Sequence, residues 1–313
     1  MIKDWALLGT VLGLLAAATF AGQWLRRQDS LGLDQRTVKA FNSRVQAWWF
    51  FSVVLGLAFF QPKLTVVLFG FLSFWALREF ITLTPTRAGD HRALFWVFFF
   101  FTPMQFVLVA YNFYSFYSIL IPVYAFLFIA ARVAISGDHH RFLERVAKIQ
   151  FGLLICVYCL SFAPALLFID CEHTDGTYGN ARLLFYFITM VLFAELLQFI
   201  GSRLFGKHVI VPAVDDSRTW EGVLVGATTT AVLGLTLYWA TPFTAWWQAG
   251  AMSFLIAIMA SAGALTMAAI KRDRGEDASG TLIEGHGGVL NRIDAVCFAA
   301  PVFYHVTSYF FAS

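Results

Sequence analysis

Ten apolar runs mark this chain, all but the short one near 47–60 about the length of helix that crosses a bilayer, roughly 20 residues, and no other feature constrains the fold as much. The runs lie near 5–25, 47–60, 64–82, 93–111, 114–135, 149–169, 183–200, 223–240, 251–270 and 294–311. Inside hydrocarbon every backbone amide and carbonyl must find its partner within the protein, so runs of this length read as helices. The expected fold class is all-α: a polytopic integral membrane protein of about ten transmembrane helices. Only 13% of the 313 residues are charged, against about 25% in a soluble domain, and a soluble core could not hide the 35 phenylalanines without more polar residues to cover them. The first run is followed by Arg26-Arg27 and not by a small-residue cleavage site, so it reads as a span and not as a signal peptide. Gln61-Pro62-Lys63 separates the second and third runs as a tight helical hairpin.

With ten spans, alternate loops share a side, and cytoplasmic loops carry the excess of Lys and Arg. Nineteen of the 22 basic residues fall on one set of loops and helix ends, and Lys3, Lys63 and Arg182 alone fall on the other. The charges therefore place both termini outward, and the long loops at 201–222 and 271–293 in the cytosol. The chain reads as one membrane domain, 1–313, with N-terminal helices over 1–180 and C-terminal helices over 181–313. Four cysteines make no disulfide framework, and Cys156-x-x-Cys159, inside an apolar run, reads as a pair of structural thiols.

The two long loops gather glycines, charges and amides at a density the rest of the chain lacks. In the second, Lys271-Arg272 leads through Glu276, Asp277 and Ser279-Gly280 to Gly285-His286-Gly287-Gly288, then Asn291-Arg292-Ile293-Asp294. Glycines and helix N-termini let backbone amides approach a phosphate, and Lys and Arg neutralise its charge. An acid such as Asp294 can hold a divalent cation against the same phosphates. By composition alone, a basic loop that meets anionic lipid headgroups is an equal reading. Nothing in the pattern points to nucleic acid.

The order of these residues resembles the C-terminal signature of the CDP-diacylglycerol synthase (phosphatidate cytidylyltransferase) family: Lys-Arg, a polar segment, Ser-Gly, Pro-Gly-His-Gly-Gly and Asp-Arg-x-Asp. In the first loop, Arg218-Thr219-Trp220-Glu221-Gly222 is similar to the family's Lys-Thr-Trp-Glu-Gly, and Leu77-Arg78-Glu79-Phe80 resembles the N-terminal region of one bacterial branch. The resemblance implies that family's fold, a bacterial inner-membrane location, and a reaction of phosphatidic acid with CTP to give CDP-diacylglycerol and pyrophosphate, with Mg²⁺ as cofactor. Carried over position by position, it makes Lys271, Arg272, Arg292 and Asp294 catalytic candidates. Arg218, Thr219, Glu221, Gly222, Ser279, Gly285, His286, Gly287 and Gly288 become substrate-binding candidates, with His286 a phosphate-loop residue and not a general base.

The chain departs from the family at its metal-binding acids. The family's Gly-Asp before Lys-Arg falls on Gly263-Ala264, and the first acid of its Asp-Arg-x-Asp falls on Asn291. Its Ser-Pro-x-Lys falls on Asp215-Asp216-Ser217-Arg218, and an upstream Asn-Asp falls on Ala194-Glu195. The candidate metal ligands are therefore Asp294, Asn291, Asp215 and Glu195. Two readings follow. Either relocated acids, among them Asp215, Asp216, Glu276, Asp277 and Glu284, rebuild a metal site, or the chain has lost transfer and serves as a lipid-binding, scaffolding or regulatory subunit. A homodimer or a membrane-protein partner is compatible with both.

Overall fold

The computed structural model describes residues 61–83, 86–169, 177–275 and 288–311, with isolated positions Thr19, Phe20, Trp49 and Gly56. The expected spans near 5–25 and 47–60 lie outside the described residues apart from those positions. The other eight each fall on a helix: α1 (Pro62–Leu83), α2 (Ala88–Ala110), α3 (Tyr114–Ala134), α4 (Phe142–Phe168), α5 (Thr177–Phe205), α6 (Trp220–Thr236), α7 (Trp246–Asp273) and α8 (Leu290–Phe311). Six of the helices, α1 to α5 and α7, are long and apolar enough to cross a membrane. The protein is an integral membrane protein and mostly helical. The first long loop adds what an all-helical reading lacks, a two-stranded antiparallel hairpin of β1 (Val209–Val211) and β2 (Asp215–Thr219). The β-branched Val209-Ile210-Val211 favours extended backbone, and Pro212 ends it.

Prolines shape the bundle. Pro62 opens α1 at a position whose amide would lack a partner anyway, and the Gln61 carbonyl accepts from the amides of Leu64 (3.1 Å) and Thr65 (3.2 Å). Pro122 interrupts α3, which widens into a π-helical stretch over Leu120–Ala125. Close to that break the carbonyl of Tyr117 accepts from Gln105 Nε2 at 3.0 Å and that of Ser118 from Tyr158 Oη at 3.1 Å. Side chains from α2 and α4 thus bond carbonyls beside the proline, which has no amide to offer.

Lipid tails are as apolar as leucine, so close packing and not burial from water holds membrane helices together, and small residues carry the contacts. Gly201 on α5 lies against Gly222 on α6, 3.2 Å from its Cα to a Cβ built at residue 201, and the same helices cross again where Gly226 meets the Gln198 backbone. Gly263 on α7 lies against the Asp294 carbonyl of α8, with only 2.6 Å to a built Cβ. α8 also packs on α4 and α1. The largest fully buried side chains include Tyr117, Tyr186, Phe162, Phe187 and Phe303, while Phe71, Phe99, Leu127 and Trp247 face outward, as a lipid-facing surface requires.

The helix ends sort into two sets. At one, the ammonium of Lys63 stands over the Tyr111 ring, 5.6 Å from its centroid. At the other, the last turn of α1 meets the first residues of α8 through Glu79 and Leu290. The ends of α5 and α7 and the start of α6 lie with that second set, and with them most of the described basic residues.

Candidate functional site

α7 ends in the basic pair Lys271-Arg272, which suits the negative end of a helix dipole. Arg272 is exposed, while Lys271 is only 9% exposed, and its Nζ donates to Asn291 Oδ1 on α8. Asn291 and Asp294 are three residues apart and share a face of α8. Asp294 is buried at 6% exposure; its Oδ1 accepts from the Ala295 amide at 2.8 Å, and the charges of Lys271 and Arg218 act on it. Gly263 brings α7 against this turn, and the neighbouring Ala264 is buried. Arg292 is half-buried, with its amide on the Val289 carbonyl at 2.9 Å.

A residue that the motif reading left without a role completes this end. Glu79 Oε2 of α1 accepts from the Leu290 amide at 3.1 Å, which caps α8 from another helix, and its Oε1 occupies the space that a side chain on Gly288 would need. The sequence signal was there: an acid at the end of an apolar run is costly enough to need a reason. Gly288→Ala should push the Glu79 carboxylate off the Leu290 amide and cost about 1 kcal/mol, the worth of a helix cap. Glu79→Gln should cost a similar amount. A thermal-melting double-mutant cycle should show the two losses overlapping; full additivity would disprove the link.

The first loop is tied down from within. Thr219 caps α6, its Oγ1 accepting from the Gly222 amide at 3.1 Å. Glu221 accepts from the amides of Lys207 and His208 at 3.1 Å each and bonds His208 Nδ1 at 2.5 Å. The His208 side chain first, and then these amides, hold the Glu221 carboxyl down at about 2 against an ordinary value near 4.5. A depressed carboxyl pKa stabilises above the unfolded value and is lost as pH falls through the folded one. The Lys207 and His208 amides should therefore stay protected from hydrogen exchange at pH 5 and lose protection between about 4.5 and 2. Unchanged protection across that window would exclude Glu221 as the clip. Gly222 is required by packing, because a Cβ there would come within 2.7 Å of the Ser202 amide nitrogen.

Of the proposed metal ligands, Asp215 accepts from Arg218 Nε at 3.1 Å and from the Ser217 amide (2.9 Å) and hydroxyl (2.7 Å). Glu195 lies half-buried on α5, one turn before Gln198, whose Nε2 donates to the Ala257 carbonyl at 2.9 Å. Of the carried-over positions, the structure brings together Lys271, Asn291 and Asp294 in one cluster, and Arg218 acts on it through its charge. Thr219, Glu221 and Gly222 act within their own loop. Ser279, Gly285, His286 and Gly287, with Glu276, Asp277 and Glu284, lie outside the described residues.

A basic helix end, a glycine at a capped helix start and a lysine–asparagine–aspartate cluster suit the recognition of a phosphate ester. Sequence comparison settles the family: the model of the "Cytidylyltransferase family" matches residues 42–310. The chain belongs to the cytidylyltransferase family. It is 31% identical over 304 residues to uncharacterized protein YnbB of Escherichia coli K12, covering 96% of this chain and 97% of that protein. It is 34% identical over 158 residues to a phosphatidate cytidylyltransferase of Haemophilus influenzae, covering 49% of this chain and 54% of that protein. A phosphatidate cytidylyltransferase of Mycobacterium leprae is 31% identical over 146 residues, 45% of this chain and 43% of that protein. The chain thus matches about half the length of the relatives that carry that name.

Members of the cytidylyltransferase family generally use a divalent metal. The described donors do not fit one. The Asn291 oxygen is taken by an ammonium and the Asp215 carboxylate by a guanidinium and a serine. Among the described residues no group of three or more His, Cys, Asp or Glu is placed to hold a metal.

Proposed function

We propose that this is a phosphatidate cytidylyltransferase-like membrane protein that binds phosphatidic acid and CTP at the end of the bundle where Lys271, Asn291, Asp294 and Arg218 converge, and that this end faces the cytosol, where CTP is. That convergence is the observation that carries the reading. In the reaction, a phosphate oxygen of phosphatidic acid attacks the α-phosphorus of CTP. A new P–O bond forms, the bond from the α-phosphorus to the bridging oxygen breaks, and pyrophosphate leaves with the electron pair. Such transfer between anions rests on positioning and on neutralised charge. In this chain Lys271 and Arg218 supply the fixed positive charge, and Asn291 orients Lys271.

The test is incubation of the purified chain in detergent with phosphatidic acid, labelled CTP and Mg²⁺ or Mn²⁺. Pyrophosphate release above an empty-membrane control is expected. No release, together with no binding of either substrate, would overturn the reading.

A second reading has a specific observation behind it: Asn291 Oδ1 accepts from the Lys271 ammonium, and the Asp215 carboxylate accepts from Arg218 and Ser217. On that reading the protein binds the same ligands without turnover, as a lipid-binding or regulatory subunit. Substrate binding without pyrophosphate release would select it.

A further inference from the structure

The position of Lys271 separates this site from one built for a divalent ion. It stands in the last turn of α7, where a lysine could reach water, yet the protein buries it and sets its ammonium on Asn291, one turn before Asp294. Burying a charge is costly unless the surroundings compensate it, and the charges of Lys271 and Asp294 act on each other. At residues 264 and 291 stand a methyl group and a neutral amide, and neither supplies a carboxylate. A divalent ion entering between residues 291 and 294 would have to displace the ammonium from the Asn291 oxygen and then sit beside it. Arg218, tied to Asp215 at 3.1 Å, adds a second fixed positive charge that acts on Asp294.

We propose that Lys271 is the resident cation of this site, so that phosphate esters bind here through its ammonium, beside Asn291 and Asp294, without a divalent metal. The inference rests on the anion-binding part of the function proposed above and holds whether or not the protein turns over. The shared ligand chemistry is a phosphomonoester or polyphosphate, which a nucleotide or a lipid headgroup can supply.

The test uses the full chain in two arms: CTP binding in detergent by calorimetry, and phosphatidic acid binding in nanodiscs. Each is measured with EDTA and again with excess Mg²⁺. The expected result, in whichever arm binds, is an affinity equal within about twofold in the two media, with Lys271→Gln weakening it at least about tenfold, the scale of one charge-assisted hydrogen bond. Lys271→Arg keeps the charge and should retain most of the affinity. Binding that requires Mg²⁺ overturns this inference and leaves the proposed function standing. Binding in EDTA that Lys271→Gln leaves unchanged also overturns it. No binding in either arm or medium overturns both. The wild-type comparison of media needs no variant, so the test survives a Lys271→Gln protein that fails to fold.

Discussion

Arg145→Met is expected to lower the melting temperature of the purified protein by on the order of 10 °C, from a loss of about 3–5 kcal/mol. Arg145 is 5% exposed and Asp90 1% exposed. The guanidinium Nε meets Asp90 Oδ1 at 2.9 Å and Oδ2 at 3.1 Å, and Nη2 meets Oδ1 at 2.5 Å. Its Nη1 also donates to the carbonyls of Asp138 (2.8 Å) and His140 (3.0 Å), and Arg87 closes the network on Asp138 at 2.8 Å. One side chain thus ties the start of α2 and the 135–141 loop to the first turn of α4. Removing one partner leaves the other charge buried and uncompensated, which is the source of that loss, and each kcal/mol is worth roughly 2–4 °C in a chain of a few hundred residues. Replacing both charges with apolar groups removes the penalty, so Arg145→Met with Asp90→Leu should melt above Arg145→Met alone. A single variant that melts within about 2 °C of the wild type would refute the role assigned to the pair.

The second large effect is expected from placing carboxylates at residues 264 and 291. Ala264→Asp with Asn291→Asp should melt well below the wild type without metal and recover when Mn²⁺ is added, whereas the wild-type melting temperature should not respond to Mn²⁺. Ala264 is 5% exposed, beside the glycine that lies on the Asp294 carbonyl. An unpaired carboxylate in that place costs several kcal/mol. The new carboxylate at position 291 would find Lys271 as its counter-ion, but the one at position 264 would face Asp294 across the helix contact as a like charge. A bound divalent ion relieves both problems, and binding to the folded state alone at about 100 times Kd adds about 2.7 kcal/mol. Pyrophosphate release by the variant and by the wild type, measured in the same tubes, shows whether the added carboxylates change turnover. A variant whose melting ignores Mn²⁺ would mean that residues 264, 291 and 294 do not enclose one site.

Much of the bundle was legible in the order of residues. Span edges at 64–82, 114–135 and 251–270 match helices at Pro62–Leu83, Tyr114–Ala134 and Trp246–Asp273 within a few residues, because hydrophobic length is a local quantity that lipid enforces. Lys271, Asn291 and Asp294 stand in one stretch of the sequence, and the structure brings them together. What was not legible were partners distant in sequence. The charged residues around 138–145 carry no motif, yet Arg145 is buried against Asp90, 55 residues away. Glu79 stood in a short motif with no assigned partner until α1 and α8 were seen to meet. Glu221 read as a substrate contact, and its carboxylate bonds the loop that precedes it.

Residue order is enough to establish a many-helix membrane protein of the cytidylyltransferase family. How its polar side chains are used emerges only once the helices are packed: Asn291 holds a lysine ammonium, and Asp215 is bound to Arg218. Whether an oxygen is available to a metal depends on which donors reach it in space, and that is fixed by how α7 and α8 cross at Gly263, not by the residues on either side of it in the chain.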